Sequence, residues 1–160
     1  MAETELHFKA QVVSGRGKAT SKMAQYEETL TGYFGEPIKP GTLNLVLKEP
    51  IEFDVAKAAI NDTKRAFWPV RVNGIDCLAD RWKGCPFHVM EIFSPVLLRE
   101  ALNLDNGDYV TVSVPASFIK KICLKRRIVW YFLWRYREKL SYSDWYYTPV
   151  RKLPFLKKLK

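Results

Sequence analysis

Cysteine and histidine are scarce in this chain, and their scarcity excludes several kinds of site. The 160 residues include three cysteines, Cys77, Cys85 and Cys123, and two histidines, His7 and His88. The cysteine number is odd and no two are spaced as Cys-x-x-Cys, which argues against a disulfide framework and a cysteine zinc site. Two histidines are too few for a histidine-based metal cluster. We therefore expect free thiols in a reducing compartment.

Long apolar runs are also lacking. No stretch approaches the ~20 apolar residues of a membrane-spanning helix, and the N-terminal MAETELHFKA has no basic region followed by an apolar stretch. We expect neither a membrane span nor a secretory signal, and we expect a cytoplasmic protein. With 48% hydrophobic residues, the chain has ample material for a folded core.

Net positive charge is confined to one part of the chain. Residues 117–160 contain 13 Lys and Arg against two acids, whereas residues 1–116 contain the other 13 against 15 acids. The two net charges, +11 and −2, sum to the +9 of the whole chain. Because the pattern also becomes helical after Pro115, we predict a main domain over 1–116 and a basic extension over 117–160.

The pattern of residues 1–116 predicts a small, mainly β, closed barrel made of many short strands with few helices. Asn73-Gly74 predicts a tight hairpin, because both residues tolerate positive φ. A single helical turn or loop is expected at 26–34, and a short helix at 96–102 capped by Ser94. Strands are expected at LHFKAQVV, LNLVL, IEF, AFWPVRV, GIDCLADRW, HVMEIF and DYVTVSV.

Two features of this domain could handle phosphate and metal. Gly15-Arg16-Gly17 follows the first strand, and glycine lets backbone N–H groups approach phosphate oxygens, although two glycines are more often an ordinary turn. Thr42 and Asn44 lie in the segment PGTLN and project to one face of a strand. A hydroxyl beside a side-chain carbonyl suits Mg²⁺, which prefers oxygen ligands and bridges to phosphates. A plain cross-strand polar pair is the alternative.

The third feature is Glu91 followed by the segment SPVLLRE. The carboxylate could accept a proton from an attacking hydroxyl or orient it, and Arg99 could hold a base or a phosphate. A capped surface helix with an exposed charge pair is the alternative.

The order and spacing of the three features resemble the archaeal-type CTP-dependent riboflavin kinases. In that family a VSGxGxG loop follows a strand, a GTLN segment comes next, and an EIIAPxxLRE segment with a later DGD ends the domain. The corresponding segments here are VVSGRG, PGTLNLVL and EIFSPVLLREALNLDNGDYVTV. The resemblance covers roughly residues 6–116 and implies a six-stranded cradle-loop (Greek-key) β-barrel.

The resemblance also implies roles for individual residues. Thr42 and Asn44 would be the Mg²⁺ ligands, and Glu91 would lie where the family contacts the flavin. The implied reaction is in-line transfer of the CTP γ-phosphoryl group to a primary alcohol, with riboflavin as the family's acceptor and FMN as product. Residues around CTP would be Gly15, Arg16, Gly17, Lys18, Ala19 and Thr20 at the phosphates, and Val96, Leu97, Leu98 and Arg99 at the cytidine end.

Two positions depart from the family pattern. Ala19 replaces a glycine of the phosphate loop, and Lys83 stands where the family has a threonine that helps to hold the flavin. A lysine ammonium group only donates hydrogen bonds, which suits an anionic or polyol acceptor better than a flavin ring. Lys83 and Glu91 are therefore the candidate acceptor-binding residues, and Glu91 is also the candidate catalytic residue.

The extension at 117–160 holds 11 of the chain's 22 aromatic residues. Its apolar segment 128–134 lies between the basic clusters 125–127 and 135–137. This arrangement is typical of a helix lying on an anionic membrane surface, and the protein would then be peripheral at the inner face of the membrane. Nucleic-acid binding and packing on the barrel or on a second subunit are the alternatives.

We therefore expect a Mg²⁺- and CTP-dependent kinase with a small alcohol acceptor. One alternative is the same donor chemistry acting on a sugar or a lipid-linked envelope precursor at the membrane. The other is a barrel without catalysis that binds nucleic acid or membrane. The sequence does not indicate an oligomeric state.

Overall fold

Short antiparallel strands make up most of the regular secondary structure in the described residues. The structure is a computed structural model and describes residues 4–15 and 24–134. The strands are β1 (Glu5–Val13), β2 (Leu43–Leu47), β3 (Glu52–Phe53), β4 (Ile60–Asn61), β5 (Arg65–Val72), β6 (Ile75–Trp82), β7 (Val89–Phe93), β8 (Tyr109–Pro115) and β9 (Ile119–Lys120). The α-helices are α1 (Glu27–Phe34), α2 (Leu98–Ala101) and α3 (Leu124–Trp134). Single 3₁₀ turns occupy Val55–Lys57 and Ala116–Phe118.

Six of the strands close into a barrel. Their order is β5-β6-β7-β2-β1-β8, and β8 pairs back onto β5 through Arg71↔Ser113 and Val72↔Val112. The predicted six-stranded barrel is confirmed. Closure leaves the six strands without a free edge, which removes the usual template for pairing with another chain.

The barrel interior is filled by alternate residues of each strand. In β2, Leu43, Leu45 and Leu47 belong to the main core and are almost fully buried. Successive strand residues point to opposite faces, so Asn44 must lie on the outer face of the barrel. The lumen is thus a packed apolar core, and Asn44 lies outside it.

The hairpin between β5 and β6 turns at Asn73-Gly74, as predicted. Asn73 has φ +47° and Gly74 has φ +86°, the two positive values that a type I′ turn requires. Val72 pairs with Ile75 directly across the turn. This turn therefore fixes the register of β5 and β6.

Both predicted helices of the barrel differ from the sequence-based expectation. The first has eight residues, because Leu30 packs with Phe67 and Phe93 on the outer barrel face and so stabilises a second turn. The second begins only at Leu98, and the prediction that Ser94 caps it is wrong. Ser94 Oγ instead accepts a hydrogen bond from the Val96 N–H, which forms a separate turn before the helix.

The segment that follows the barrel packs against it as far as Trp134. Strand β9 pairs with β3 through Glu52↔Lys120 and Phe53↔Ile119. Helix α3 then lies beside the turn between β6 and β7. Within residues 4–15 and 24–134, no helix is long and apolar enough to cross a membrane.

Candidate active site

A row of polar side chains crosses the outer face of the barrel. Asp80 on β6 pairs with Glu91 on β7, and Glu91 pairs with Asn44 on β2. Asn44 pairs in turn with Val13, the last residue of β1. Adjacent strands lie about 5 Å apart, so the register alone brings the predicted metal ligand Asn44 beside the predicted acceptor residue Glu91.

The start of the glycine loop is in contact with Asn44. A Cβ added at Gly15 would overlap Asn44 Nδ2 and lie 3.2 Å from Asn44 Cγ. Only glycine fits here without moving the asparagine side chain. Thr42 is half-buried and comes immediately before β2, two residues from Asn44. The start of the predicted phosphate loop therefore lies beside the predicted metal ligands.

The donor set at this place fits a hard cation. A threonine hydroxyl and an asparagine carbonyl supply two neutral oxygens, and Mg²⁺ commonly completes such a set with water and substrate phosphates. Across the described part of the chain, no group of three or more His, Cys, Asp or Glu residues could hold a metal ion. A metal on Thr42 and Asn44 would therefore depend on a bound nucleotide for most of its charge neutralisation.

Glu91 is held by a buried arginine. Arg65 Nη1 is 3.2 Å from Glu91 Oε2, and the same nitrogen also donates to Asp80. Asp80 is fully buried, and Arg65 and Glu91 are each 8% exposed. Among the residues that the structure describes, Asp80 Oδ1 has no hydrogen-bond partner. This triad orders the Glu91 carboxylate beside Asn44.

Arg99 joins two loops at the other side of the site. Its Nη2 donates to the Val13 carbonyl at 3.1 Å and to Asn106 Oδ1 at 2.9 Å. Asn106 Nδ2 in turn donates to Ser14 Oγ at 2.6 Å. The residues just before the glycine loop are thus tied to the Asn106-Gly107 turn, and Arg99 is the link between them.

A cavity of about 730 Å³ lies between α3 and the barrel wall. The barrel contributes Trp82 and Phe87, and the helix contributes Trp130 and Trp134. Arg65 also lines the cavity, with its guanidinium 6.0 Å from the centre of the Trp82 ring. The arginine that holds Glu91 therefore stands between the polar row and this cavity.

One side of the cavity is fixed by a tyrosine–aspartate pair. Tyr26 Oη donates to Asp62 Oδ2 at 2.6 Å, and Asp62 lines the cavity. This hydrogen bond lowers the pKa of Asp62, whereas burial together with Asp62 raises the pKa of Tyr26 to about 12. The contact ties the start of α1 to the turn between β4 and β5.

No protein-family model matches the chain, but curated proteins do. The riboflavin kinase of Sulfurisphaera tokodaii is 31% identical over 129 residues, which cover 68% of this chain and 95% of the relative. The chain belongs to the archaeal riboflavin kinase family. The riboflavin kinases of Pyrococcus abyssi and Methanocella arvoryzae are each 33% identical, over 65% and 67% of this chain. Only 56% of each of those two relatives is covered, so the chain spans about half their length.

Within this riboflavin kinase family member, the predicted site residues fall into two groups. The structure brings Gly15, Asn44 and Glu91 together on the outer barrel face, with Thr42 two residues before Asn44, whereas exposed Lys83 lies apart from them at the rim of the cavity. The predicted phosphate-binding residues Arg16, Gly17, Lys18, Ala19 and Thr20 lie outside the described residues, as does the part of the extension from 135 to 160.

The predicted cytidine-binding residues differ in how far their side chains are exposed. Val96 and Leu97 are 40% and 39% exposed, whereas Leu98 is buried in the barrel core. Leu98 can therefore offer a nucleotide only its backbone. Arg99 is half-buried and engaged with Val13 and Asn106.

Sequence reasoning missed Arg65, Asp80 and Asn106. The signal for the first two was present, because the Asn73-Gly74 hairpin fixes the pairing of β5 with β6. Counting back from that turn places Arg65 opposite Trp82 and Asp80 opposite Phe67, so both charges project from the outer face. Charged residues at such positions in otherwise apolar strands favour a polar site. Nothing in the sequence reveals the partner of Asn106.

Proposed function

We propose that this chain transfers the γ-phosphoryl group of CTP to the primary hydroxyl of riboflavin and produces FMN, with Mg²⁺ as the metal. The observation that carries the proposal is the meeting of Gly15, two residues after β1, with Asn44 and Glu91 on the adjacent strands β2 and β7. Phosphoryl transfer needs a phosphate loop, a metal ligand and an acceptor-orienting group within one small region. Family membership supports the acceptor, and the archaeal type of that family supports CTP.

Each residue then has a defined task. Gly15 and the loop that follows it would hold the CTP phosphates, and Thr42 with Asn44 would hold Mg²⁺. When bound, the metal neutralises charge that develops on the phosphate oxygens. Val96, Leu97 and the Leu98 backbone would contact the cytidine end, and Arg99 ties Val13, two residues before Gly15, to Asn106.

Glu91 is best placed to orient the acceptor hydroxyl. Its carboxylate is fixed by Arg65 at 3.2 Å, and a fixed acceptor oxygen aligns an attacking hydroxyl with little entropic cost. A role as general base uses the same position. Lys83, exposed at the rim of the cavity, would contact the acceptor from the other side.

The test is a donor and acceptor panel with the full chain. CTP or ATP with Mg²⁺ is incubated with riboflavin, simple sugars and other primary alcohols, and CDP or ADP release and acceptor mass are measured. We expect CDP and FMN from CTP and riboflavin, and Asn44→Ala should abolish turnover while the thermal unfolding temperature stays near that of the wild type. CTP consumption without FMN would refute riboflavin as acceptor, and the absence of CTP binding would refute the kinase.

A membrane-facing role for the extension is a second candidate function. In the division proposed here, residues 1–116 carry the phosphoryl-transfer residues and 117–160 form a basic extension. Leu124 and Phe132 are 73% and 75% exposed on α3, on the side opposite Trp130, and the extension has a net charge of +11. Exposed apolar residues among cations favour an anionic lipid surface.

Co-sedimentation with vesicles tests this second function. The full chain should pellet with vesicles rich in phosphatidylserine and stay in solution with neutral vesicles, and a Leu124→Ser, Phe132→Ser double variant should pellet less. Equal pelleting of the two proteins would reject the proposal. Binding to single-stranded oligonucleotides instead would favour the nucleic-acid alternative.

A further inference from the structure

We propose that α3 is the specificity wall of the acceptor site, and that the cavity beneath it takes a planar aromatic ring carrying a hydroxylated chain. The inference rests on the proposed riboflavin kinase activity and extends it. It assigns ring recognition to a helix that follows residue 116, where the sequence resemblance to the family ends.

The size and lining of the cavity fit a flat ring. Its volume of about 730 Å³ lies in the range of sites for small organic ligands, about 300–1,000 Å³. Trp82 and Phe87 line it from the barrel, and Trp130 and Trp134 line it from α3. Aromatic side chains on two opposing walls offer π-faces to an aromatic ring, whereas a linear alcohol has no ring face and a simple sugar has no π-system of its own.

Both helix tryptophans are held in place by one buried histidine. Trp130 Nε1 donates to His88 Nδ1 at 2.8 Å, and His88 is fully buried. The Trp134 ring lies 5.3 Å from the same imidazole, centroid to centroid. Because the indoles are ordered before a ligand arrives, binding has less side-chain entropy to overcome.

The start of α3 is anchored independently. Arg126 pairs with Glu52 of β3, and its guanidinium lies 4.6 Å from the centre of the Phe87 ring. Val129 lies between this anchor and the two tryptophans and lines the cavity. The helix is therefore fixed near both ends, with a small side chain over the space that a ring would fill.

Arg65 connects the cavity to the catalytic row. It lines the cavity and its Nη1 lies 3.2 Å from Glu91 Oε2, and Glu91 pairs with Asn44. Only the Arg65 side chain would thus separate a ring in the cavity from the Glu91 carboxylate, which is proposed to orient the acceptor hydroxyl. Lys64 and Lys83 also line this side, which suits the oxygen-rich chain of the acceptor and the phosphate of the product.

The experiment measures flavin binding separately from phosphoryl transfer. Riboflavin is titrated into the full chain without CTP, its fluorescence quenching gives Kd, and KM values for riboflavin and CTP are measured in a second assay. Trp130→Ala should raise both the Kd and the KM for riboflavin about tenfold, because the flavin ring loses one aromatic face on which to stack. The KM for CTP should not change.

A second variant keeps the proposal testable if Trp130→Ala does not fold. Val129→Trp fills the cavity and leaves the His88, Glu52 and Phe87 contacts of α3 in place, so riboflavin affinity should again fall at least tenfold. Ile128→Trp, one position earlier and facing away, is the matched control and should bind riboflavin like the wild type.

The outcomes separate the two proposals. If folded Trp130→Ala and Val129→Trp both bind riboflavin like the wild type, the proposed role of α3 in acceptor recognition is refuted. The kinase proposal still stands if FMN is produced. If the wild type binds riboflavin in a Trp130-dependent manner but forms no FMN from CTP, the wall is supported and the proposed function fails. If the wild type does not bind riboflavin, the proposed role of α3 is also refuted.

Discussion

Gly15 and Asn44 touch across the junction of β1 and β2, so closely that a Cβ on Gly15 would lie 3.2 Å from Asn44 Cγ. The contact joins the loop proposed for phosphate to the side chain proposed for Mg²⁺. Any side chain added at Gly15 must therefore displace the Asn44 side chain.

Gly15→Ala tests this contact. Overpacking of a tight contact costs about 1–3 kcal/mol, and here the side chain that must move is a proposed metal ligand. We expect kcat/KM for CTP to fall at least about tenfold. Gly32→Ala is the matched control, because a Cβ at Gly32 in α1 meets nothing within 4 Å. The control should keep full activity and gain roughly 0.4–1 kcal/mol in stability. Unchanged activity in Gly15→Ala would contradict the coupling.

Arg65→Leu should strongly destabilise the barrel. It leaves the buried carboxylates of Asp80 and Glu91 without their cation, which typically costs about 3–5 kcal/mol. Arg71→Leu on the same strand is the control, since Arg71 pairs with Glu5 at an exposed position and such pairs contribute about 1 kcal/mol or less. Urea unfolding of the two variants measures the difference. Equal losses would show that the triad has no special energetic role.

Arg99→Lys should raise the KM for CTP by about tenfold, a loss of roughly 1.4 kcal/mol in nucleotide binding. One guanidinium nitrogen reaches both the Val13 carbonyl and Asn106, and a flexible ammonium does not hold the two loops in the same geometry. Steady-state kinetics with varied CTP and fixed riboflavin provide the measurement. The KM for riboflavin should stay unchanged; a parallel rise in both constants would indicate a general loss of structure instead.

Alkaline pH should weaken the fold through Tyr26 and Cys77. Burial raises the pKa of each group in the folded protein to about 12. At any pH between the pKa of the group in the unfolded chain and about 12, the unfolded chain therefore binds fewer protons than the folded one. The free energy of unfolding must then decrease as pH rises from about 9. Tyr26→Phe also loses the Asp62 hydrogen bond, so it should be less stable than the wild type at pH 8 and the difference should shrink by pH 11. Urea titrations at several pH values test this, and a constant difference would contradict it.

Most of the fold could be predicted because alternation and turn residues are local signals. Leu43, Leu45 and Leu47 marked β2, and Asn73-Gly74 marked the hairpin. The length of α1 could not be read from its own sequence, because its second turn depends on packing of Leu30 against Phe67 and Phe93. Tertiary contacts of this kind override local propensity.

The candidate site was predicted in part. Thr42, Asn44, Glu91 and Gly15 came from motif spacing, and the strand register brings the last three together. The cavity was not foreseen, because it needs α3 to fold back over β6 and the turn after it. The segment around Trp130 was predicted to lie on an anionic membrane surface, with nucleic-acid binding and packing on the barrel or a second subunit as alternatives. The hydrogen bond from Trp130 to His88 shows that one face of this helix packs on the barrel.

The packed lumen has a consequence for how this protein tolerates mutation. Along β2, side chains alternate between the apolar core and the outer face of the barrel, where Asn44 is also buried, so folding and chemistry depend on interleaved positions of the same strand. In a saturation scan of 43–47 that records both abundance and turnover, the effects of substitution should therefore alternate from one position to the next. Positions 43, 45 and 47 should limit abundance, and position 44 should limit turnover at near-normal abundance.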